Sequence, residues 1–260
     1  MKKIYYKRLI SLFFIVFFVA TASSCRNGKL FREIESGDWI YTTNYCADGH
    51  CALLGLSETG KTKDVIVMPT MLDGLIVYLY GNQKDYRSSP NIVFDNCKKL
   101  YCNYSNITIC TTFIFGNQEM EGFFPHKFSL SSMNIFCSCE NNINACLFVS
   151  AELYDYNQKE KWVERECSIA NIEYYMDEKN CFFVDNVESG KIEVIPPTPL
   201  RYDNEGYVFE GWYYNDIKWD FENNLVEDYF DENNRLRLEA KWEKEQWLGW
   251  NLKLLKYYFV

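Results

Sequence analysis

Charged and apolar residues alternate without a break along Arg235-Leu236-Arg237-Leu238-Glu239-Ala240-Lys241-Trp242. A period of two marks a strand with one buried and one wet face. Residues 235–242 are therefore predicted to be a strand with Leu236, Leu238, Ala240 and Trp242 turned inward. Upstream, Gly206-Tyr207-Val208-Phe209-Glu210-Gly211-Trp212-Tyr213 is a short aromatic strand between glycines, and Trp219-Asp220-Phe221 repeats the aromatic alternation. Lys191-Ile192-Glu193-Val194-Ile195 reads as a further alternating strand, stopped by Pro196 and Pro197, which cannot donate to a ladder. Two more apolar runs, Ile172-Glu173-Tyr174-Tyr175-Met176 and Cys181-Phe182-Phe183-Val184, flank a polar turn at residues 177–180. Residues 222–230 leave room for a single helical turn, and residues 231–234 form a polar loop. The span 168–242 is thus a small β-rich module, with Trp212, Trp219 and Trp242 expected in its core. The alternative lead is a recognition surface formed by the cluster Trp212, Tyr213, Tyr214 and Trp219, because Tyr and Trp are favoured at such surfaces.

Nearer the N-terminus the same period recurs in shorter pieces. Ala52-Leu53-Leu54-Gly55-Leu56, Asp64-Val65-Ile66-Val67-Met68-Pro69 and Gly74-Leu75-Ile76-Val77-Tyr78-Leu79-Tyr80-Gly81 are β-type runs separated by turn residues. Asp73-Gly74 is a tight-turn pair. Residues 149–162 resemble the short helical segment that commonly closes a leucine-rich repeat array. Between these, residues 107–115 and 133–136 keep β-type runs while the repeat pattern decays. Tyr and Phe, 20 and 19 of the 260 residues, favour sheet over helix, and a 48% hydrophobic chain can bury a core in each of two modules.

Two family resemblances attach to these runs. Pro196-Pro197-Thr198-Pro199, then Glu205 through Tyr213, Trp219-Asp220-Phe221 and Leu238-Glu239-Ala240-Lys241-Trp242 together resemble the Listeria–Bacteroides repeat of the internalin B-repeat family. The order and separations carry the likeness, which implies a β-grasp-like extracellular module of bacterial surface proteins, present here once. Residues 37–165 are similar to a BspA-type leucine-rich repeat region. The strand–proline–turn–strand units carry that likeness, together with Phe94-Asp95-Asn96-Cys97-Lys98-Lys99-Leu100, whose Asn would bond turn backbone inside the stack. A solenoid needs about three stacked units to bury a continuous core, so this one is short. The expected fold is mainly β: a short degenerate leucine-rich-repeat-like β solenoid followed by a β-grasp-like module, with residues 243–260 as a C-terminal tail. That tail carries Trp247, Trp250, Leu252, Leu254 and Leu255 with Lys253 and Lys256. It is either a helix folded back on a module or a segment for a partner or membrane surface.

The N-terminus changes the picture most. Lys2, Lys3, Lys7 and Arg8 precede an apolar run over residues 9–20 and then Thr21-Ala22-Ser23-Ser24-Cys25. A basic head, a short apolar middle and small residues describe a secretory signal, and the run falls short of the roughly 20 residues of a spanning helix. The residues before Cys25 resemble a bacterial lipobox, with Ala22 where the motif usually has Leu. The resemblance implies a signal peptide over 1–24, lipidation of Cys25 and a tether over 25–36. Two acyl chains anchor stably where one holds marginally. Ordinary signal-peptidase cleavage and an uncleaved membrane anchor are the competing readings.

Cleavage before Cys25 removes four basic residues and no acid, so 27 − 4 = 23 Lys+Arg face 36 Asp+Glu and the formal charge becomes −13. Such a chain is a poor match for nucleic acid, whose phosphates need clustered Lys and Arg. Of 11 cysteines, ten remain beside Cys25: Cys46, Cys51, Cys97, Cys102, Cys110, Cys137, Cys139, Cys146, Cys167 and Cys181. An even remainder in an exported chain permits disulfides. Cysteine is also a readily buried small residue, so free thiols and disulfides both stay open.

Candidate chemistry is sparse. Cys46, His50 and Cys51 lack the fourth ligand and the spacing of a structural zinc site. His126, after Pro125, has no nucleophile signature around it. Gly55-Leu56-Ser57-Glu58-Thr59-Gly60-Lys61-Thr62 spells a phosphate-binding loop, but a strand-like run follows it where a helix is required, so it reads as a turn. No catalytic residue, metal ligand set or cofactor is assigned, and no partner-contacting residues are singled out. The expected function is non-enzymatic. It is that of a lipid-anchored protein on the extracellular face of a bacterial envelope, used for adhesion to a host or neighbouring-cell protein or glycan. The alternatives are a secreted carbohydrate-processing enzyme with paired carboxylates and a purely structural spacer.

Overall fold

The computed structural model describes residues 32–44, 46–78, 91–103, 112–115, 120–125, 134–137, 146–160, 167–201 and 206–244. The expected signal peptide, Cys25 and most of the tail lie outside them, as do His126, Cys110 and Cys139. The protein is mainly β, with curled sheets. In chain order the first strands are β1 (Ile34–Ser36), β2 (Trp39–Thr42), β3 (His50–Leu56), β4 (Val65–Val67), β5 (Met71–Leu72), β6 (Leu75–Tyr78), β7 (Asn91–Phe94), β8 (Lys99–Tyr101) and β9 (Thr112–Phe115). There follow β10 (Glu121–Phe124), β11 (Asn134–Cys137), β12 (Cys146–Val149), the helix α1 (Ala151–Glu160) and β13 (Cys167–Ile169). The last are β14 (Ile172–Tyr175), β15 (Cys181–Asp185), β16 (Tyr207–Tyr214), β17 (Ile217–Lys218) and β18 (Leu236–Lys244).

Four sheets result, all within one compact unit that begins at Glu33. Sheet A, in the order β1-β2-β3-β6-β5, opens with an antiparallel hairpin. The first described strand, β1, lies inside the stretch expected to be tether. Sheet B, β4-β8-β10-β12-β13, is parallel throughout and adds its strands in chain order. Sheet C, β7-β9-β11, is parallel and also in chain order. From β7 to β12 the chain alternates between sheets C and B. Sheet D has the order β15-β14-β18-β16-β17, with β14 and β18 parallel and its other pairs antiparallel.

Turn chemistry sets these positions. Asp73 and Gly74 both take positive φ, 49° and 79°, between β5 and β6. A tight hairpin turn requires that, and glycine supplies it without steric cost. The Asp73 carboxylate accepts from Ser36 Oγ at 2.7 Å and Tyr41 OH at 2.8 Å, tying the turn to the first hairpin. Asn96 Nδ2, exposed, donates to the carbonyl of Lys61 at 2.7 Å. Ser150 caps α1, its Oγ accepting from Leu153 N at 3.2 Å.

Sheet B buries both faces, as parallel sheets do. Ile66, Leu100, Phe124, Leu147 and Val149 enter the core of the N-terminal half. Positions one residue out of phase, Val67, Tyr101, Phe123 and Phe148, form an in-register column across the sheet and join the core of the C-terminal half. The rings stack: Tyr101 on Phe123 at 4.2 Å, Phe123 on Phe148 at 5.0 Å, and Phe183 of β15 on Tyr101 at 5.3 Å. The two halves therefore share one apolar cluster.

Two sequence expectations for sheet D need correction. Residues 191–195 alternate but form no strand. Ile192 is buried and Val194 half-buried while the chain crosses the core face, and no neighbouring strand lies alongside to pair with it among the described residues. Trp219-Asp220-Phe221 is not a strand either. Asp220 Oδ1 accepts from the backbone N–H of Glu222 and Asn223, an Asx turn that pulls the chain off the sheet after β17. Trp219 is still buried, so its core role stands. The helical turn expected within residues 222–230 is a single 3-10 turn, Val226–Asp228.

All seven described cysteines whose side chains are placed (Cys46, Cys51, Cys97, Cys102, Cys146, Cys167 and Cys181) are free thiols. Burial pushes Cys51 and Cys97 up to about 12 and raises Cys102 and Cys181 as well. Since the thiolate is the nucleophile, native alkylation at pH 8 should label these four roughly 100-fold more slowly than in denaturant. Peptide mass spectrometry reads each site. Fast native labelling of Cys102 or Cys181 would contradict the packing.

Candidate functional site

The phosphate-loop look-alike is a turn. Gly60–Thr62 forms one 3-10 turn and β4 follows, so no helix N-terminus faces an anion. Lys61 Nζ pairs with Glu58 at 2.6 Å, and Thr62 Oγ1 donates to the carbonyl of Thr59. Gly60 is required by close approach, since a Cβ there would lie 2.2 Å from the carbonyl oxygen of Asp38.

Cys46, His50 and Cys51 do not converge either. His50 and Cys51 are consecutive on β3, so their side chains leave opposite faces. His50 Nδ1 lies 2.8 Å from the carbonyl of Asp48, and Cys46 Sγ donates to the carbonyl of Thr42. Among the described residues no group of three or more His, Cys, Asp or Glu could hold a metal ion.

Among the described residues two carboxylates are buried, Glu173 and Asp185. Glu173 Oε1 accepts from Ala151 N at 2.6 Å, adding a second cap to α1, while Oε2 pairs with Arg235 at 3.0 Å and accepts from Tyr175 OH. Asp185 Oδ1 accepts from Tyr101 OH at 2.9 Å and Asn186 N at 2.8 Å. Burial raises the Asp185 carboxyl above its usual range, and burial beside Asp185 raises the Tyr101 phenol. The ladder pairs Ile172 with Asp185 and Glu173 with Val184, which puts the two acids on opposite faces of sheet D. They cannot flank one substrate.

What remains is a surface. On the outward face of sheet D the Arg237 guanidinium lies 3.9 Å from the Tyr175 ring centroid, and Lys241 Nζ lies 4.5 Å from that of Tyr213. Arg237 also pairs with Glu239, and Lys241 with Asp216. Glu210 accepts from the Tyr213 hydroxyl and raises that phenol. At the far end of the β16–β18 ribbon, Arg201 lies 4.2 Å from the Tyr207 centroid and 5.8 Å from that of Trp242. The Tyr175 and Tyr213 rings are themselves buried, so what meets water on this face is the cations and carboxylates that lie over them, attracted by the ring faces.

The tryptophans split. Trp212 and Trp219 are buried, as the sequence implies, but Trp242 is only half-buried. It packs edge-on against Phe209 at 5.6 Å and donates its Nε1–H to the carbonyl of Met176. The cause is the reach of β18, which runs on to Lys244 while its partner β14 ends at Tyr175, opposite Glu239. Trp242 therefore sits on the rim. Tyr214, half-buried against Tyr229, belongs to the core, and Tyr213 lies under Lys241.

The in-register aromatic column of sheet B was missed by sequence reasoning. Its signal was the adjacent apolar pairs Leu100-Tyr101, Phe123-Phe124 and Leu147-Phe148, which fill both faces of a strand. No helix of the described residues is long and apolar enough to cross a membrane. Compared with protein-family models, with curated proteins and with solved structures, the chain matches none.

Proposed function

We propose that this chain is a lipid-anchored bacterial cell-surface protein that works by adhesion, contacting a protein or glycan of a host or neighbouring cell, and is not an enzyme. The observation that carries the interaction role is the outward face of sheet D, where Tyr175 and Tyr213 each bear a cation within a mixed-charge surface. The opposed placement of Glu173 and Asp185 supports it, because the competing paired-carboxylate chemistry needs two acids flanking one bond. In the same proposal the chain-ordered parallel strands of sheets B and C are the rungs of a short leucine-rich-repeat-like β solenoid. Sheet D, with its parallel β14–β18 pair, is a β-grasp-like module of the internalin B-repeat kind. Cys25, acylated after removal of residues 1–24, is the anchor.

Two measurements test this. Metabolic palmitate labelling should mark the wild type and vanish in Cys25→Ala; equal labelling of both would remove the anchor. A glycan and host-protein array probed with residues 26–260 should return ligands whose binding falls about tenfold or more in an Arg237→Ala/Lys241→Ala variant, the loss expected when contacts at the centre of an interface are truncated. The shared core of the two halves favours one second reading, a rigid structural spacer. An array with no ligand, beside intact acylation, would support it.

A further inference from the structure

Asp185 sits at the junction of sheets B and D, only 2% exposed. The donors that reach it are neutral, the Tyr101 hydroxyl of β8 and the backbone N–H of Asn186. Among the described residues the charged groups around the junction are few. Lys99 on β8 and Glu121 on β10 act on Asp185 from the first half, but these two are ion-paired with each other at 3.3 Å. Glu193, from the segment after β15, acts on Tyr101. From β14 comes Tyr174, fully buried, whose hydroxyl has no hydrogen-bond partner among the described residues. Around these groups lie the stacked rings of Phe123, Tyr101 and Phe183, which hold the two halves together.

A carboxylate in such a place, bonded by neutral donors and walled by aromatic rings, is costly to keep ionised. A protonated carboxyl is not. It also supplies a donor in the neighbourhood of a Tyr174 oxygen that has none. We propose that the junction of sheets B and D is a proton-linked coupling: it closes tightly when Asp185 carries a proton and loosens when Asp185 ionises. Asp185 holds its proton more strongly in the fold than in the unfolded chain. Its contribution is therefore complete below the ordinary Asp value and is lost as the pH rises through the raised one. The acidic chain as a whole also gains stability on acidification as its self-repulsion falls, so the wild-type curve alone is not diagnostic.

The test compares thermal unfolding of the full chain with Asp185→Asn across pH 4 to 8. The amide oxygen can still accept from Tyr101 and Asn186, while the titration is gone. The variant's midpoint should rise relative to wild type by a few degrees as the pH climbs, then level off. Parallel curves would overturn the proposal. If Asp185→Asn does not fold, a site-resolved NMR titration of the Asp185 carboxyl in the wild type decides. A midpoint above the ordinary Asp value supports the coupling, and one at or below it overturns it.

Discussion

Tyr101→Ala should destabilise the folded unit by about 3–5 kcal/mol, the range for deleting a large buried aromatic side chain. The ring is 1% exposed and lies between Phe123 and Phe183, so its removal opens a cavity where the two halves meet. The variant also strips Asp185 of its hydroxyl donor. Tyr101→Phe separates the two effects. It keeps the stack and should cost only the roughly 1–3 kcal/mol of a buried acceptor losing a donor. Urea unfolding followed by far-UV circular dichroism and by tryptophan fluorescence should give one coincident midpoint, displaced in both signals. Trp39 reports on the first half, Trp212 and Trp219 on the second. A displaced first transition beside an unmoved second one would show that the halves do not share a core.

Trp212→Ala should cost a similar amount, about 3–5 kcal/mol. Its indole meets Tyr174 edge-on at 5.1 Å, Phe209 at 5.2 Å and Phe182 at 5.9 Å, and its carbonyl accepts from Trp219 N. Trp242→Ala is the informative comparison. Half-buried on the rim, it should cost about 1–2 kcal/mol, since only part of its area leaves water on folding. Equal losses for the two would place Trp242 in the core after all.

Much of the fold was legible where local chemistry and burial agree. Residues 235–242 alternate because β18 buries Leu236 and Leu238 on one face and exposes Arg237 and Glu239 on the other. Asp73-Gly74 turns because both residues sit at positive φ. Alternation failed as a guide at residues 191–195, where it records burial of every second side chain without a ladder. At Trp219-Asp220-Phe221 the Asp side chain competes for backbone N–H groups and wins. The joint between halves was unreadable for a different reason. Adjacent apolar residues on β8, β10 and β12 say that both faces are covered, but not by what. Of the candidate site, the sequence singled out Tyr213 but neither Tyr175 nor the cation over it, because Arg237 and Tyr175 meet only across the β14–β18 pairing.

The place of β18 has a consequence for how the chain matures. It is the last described strand in the sequence and the middle one of its sheet, with β14 on one side and β16 on the other. Until Leu236 and the residues after it arrive, β14 and β16 have no common neighbour, and Trp212 and Tyr174 face each other across an empty lane. A polypeptide that emerges from its N-terminus would thus carry an unfinished, sticky intermediate until its last described strand is available. Pairings so distant in sequence are slow to form. A nascent chain released before residue 236 is expected to be readily cut by proteases, whereas one that keeps residues 236–244 can close over itself.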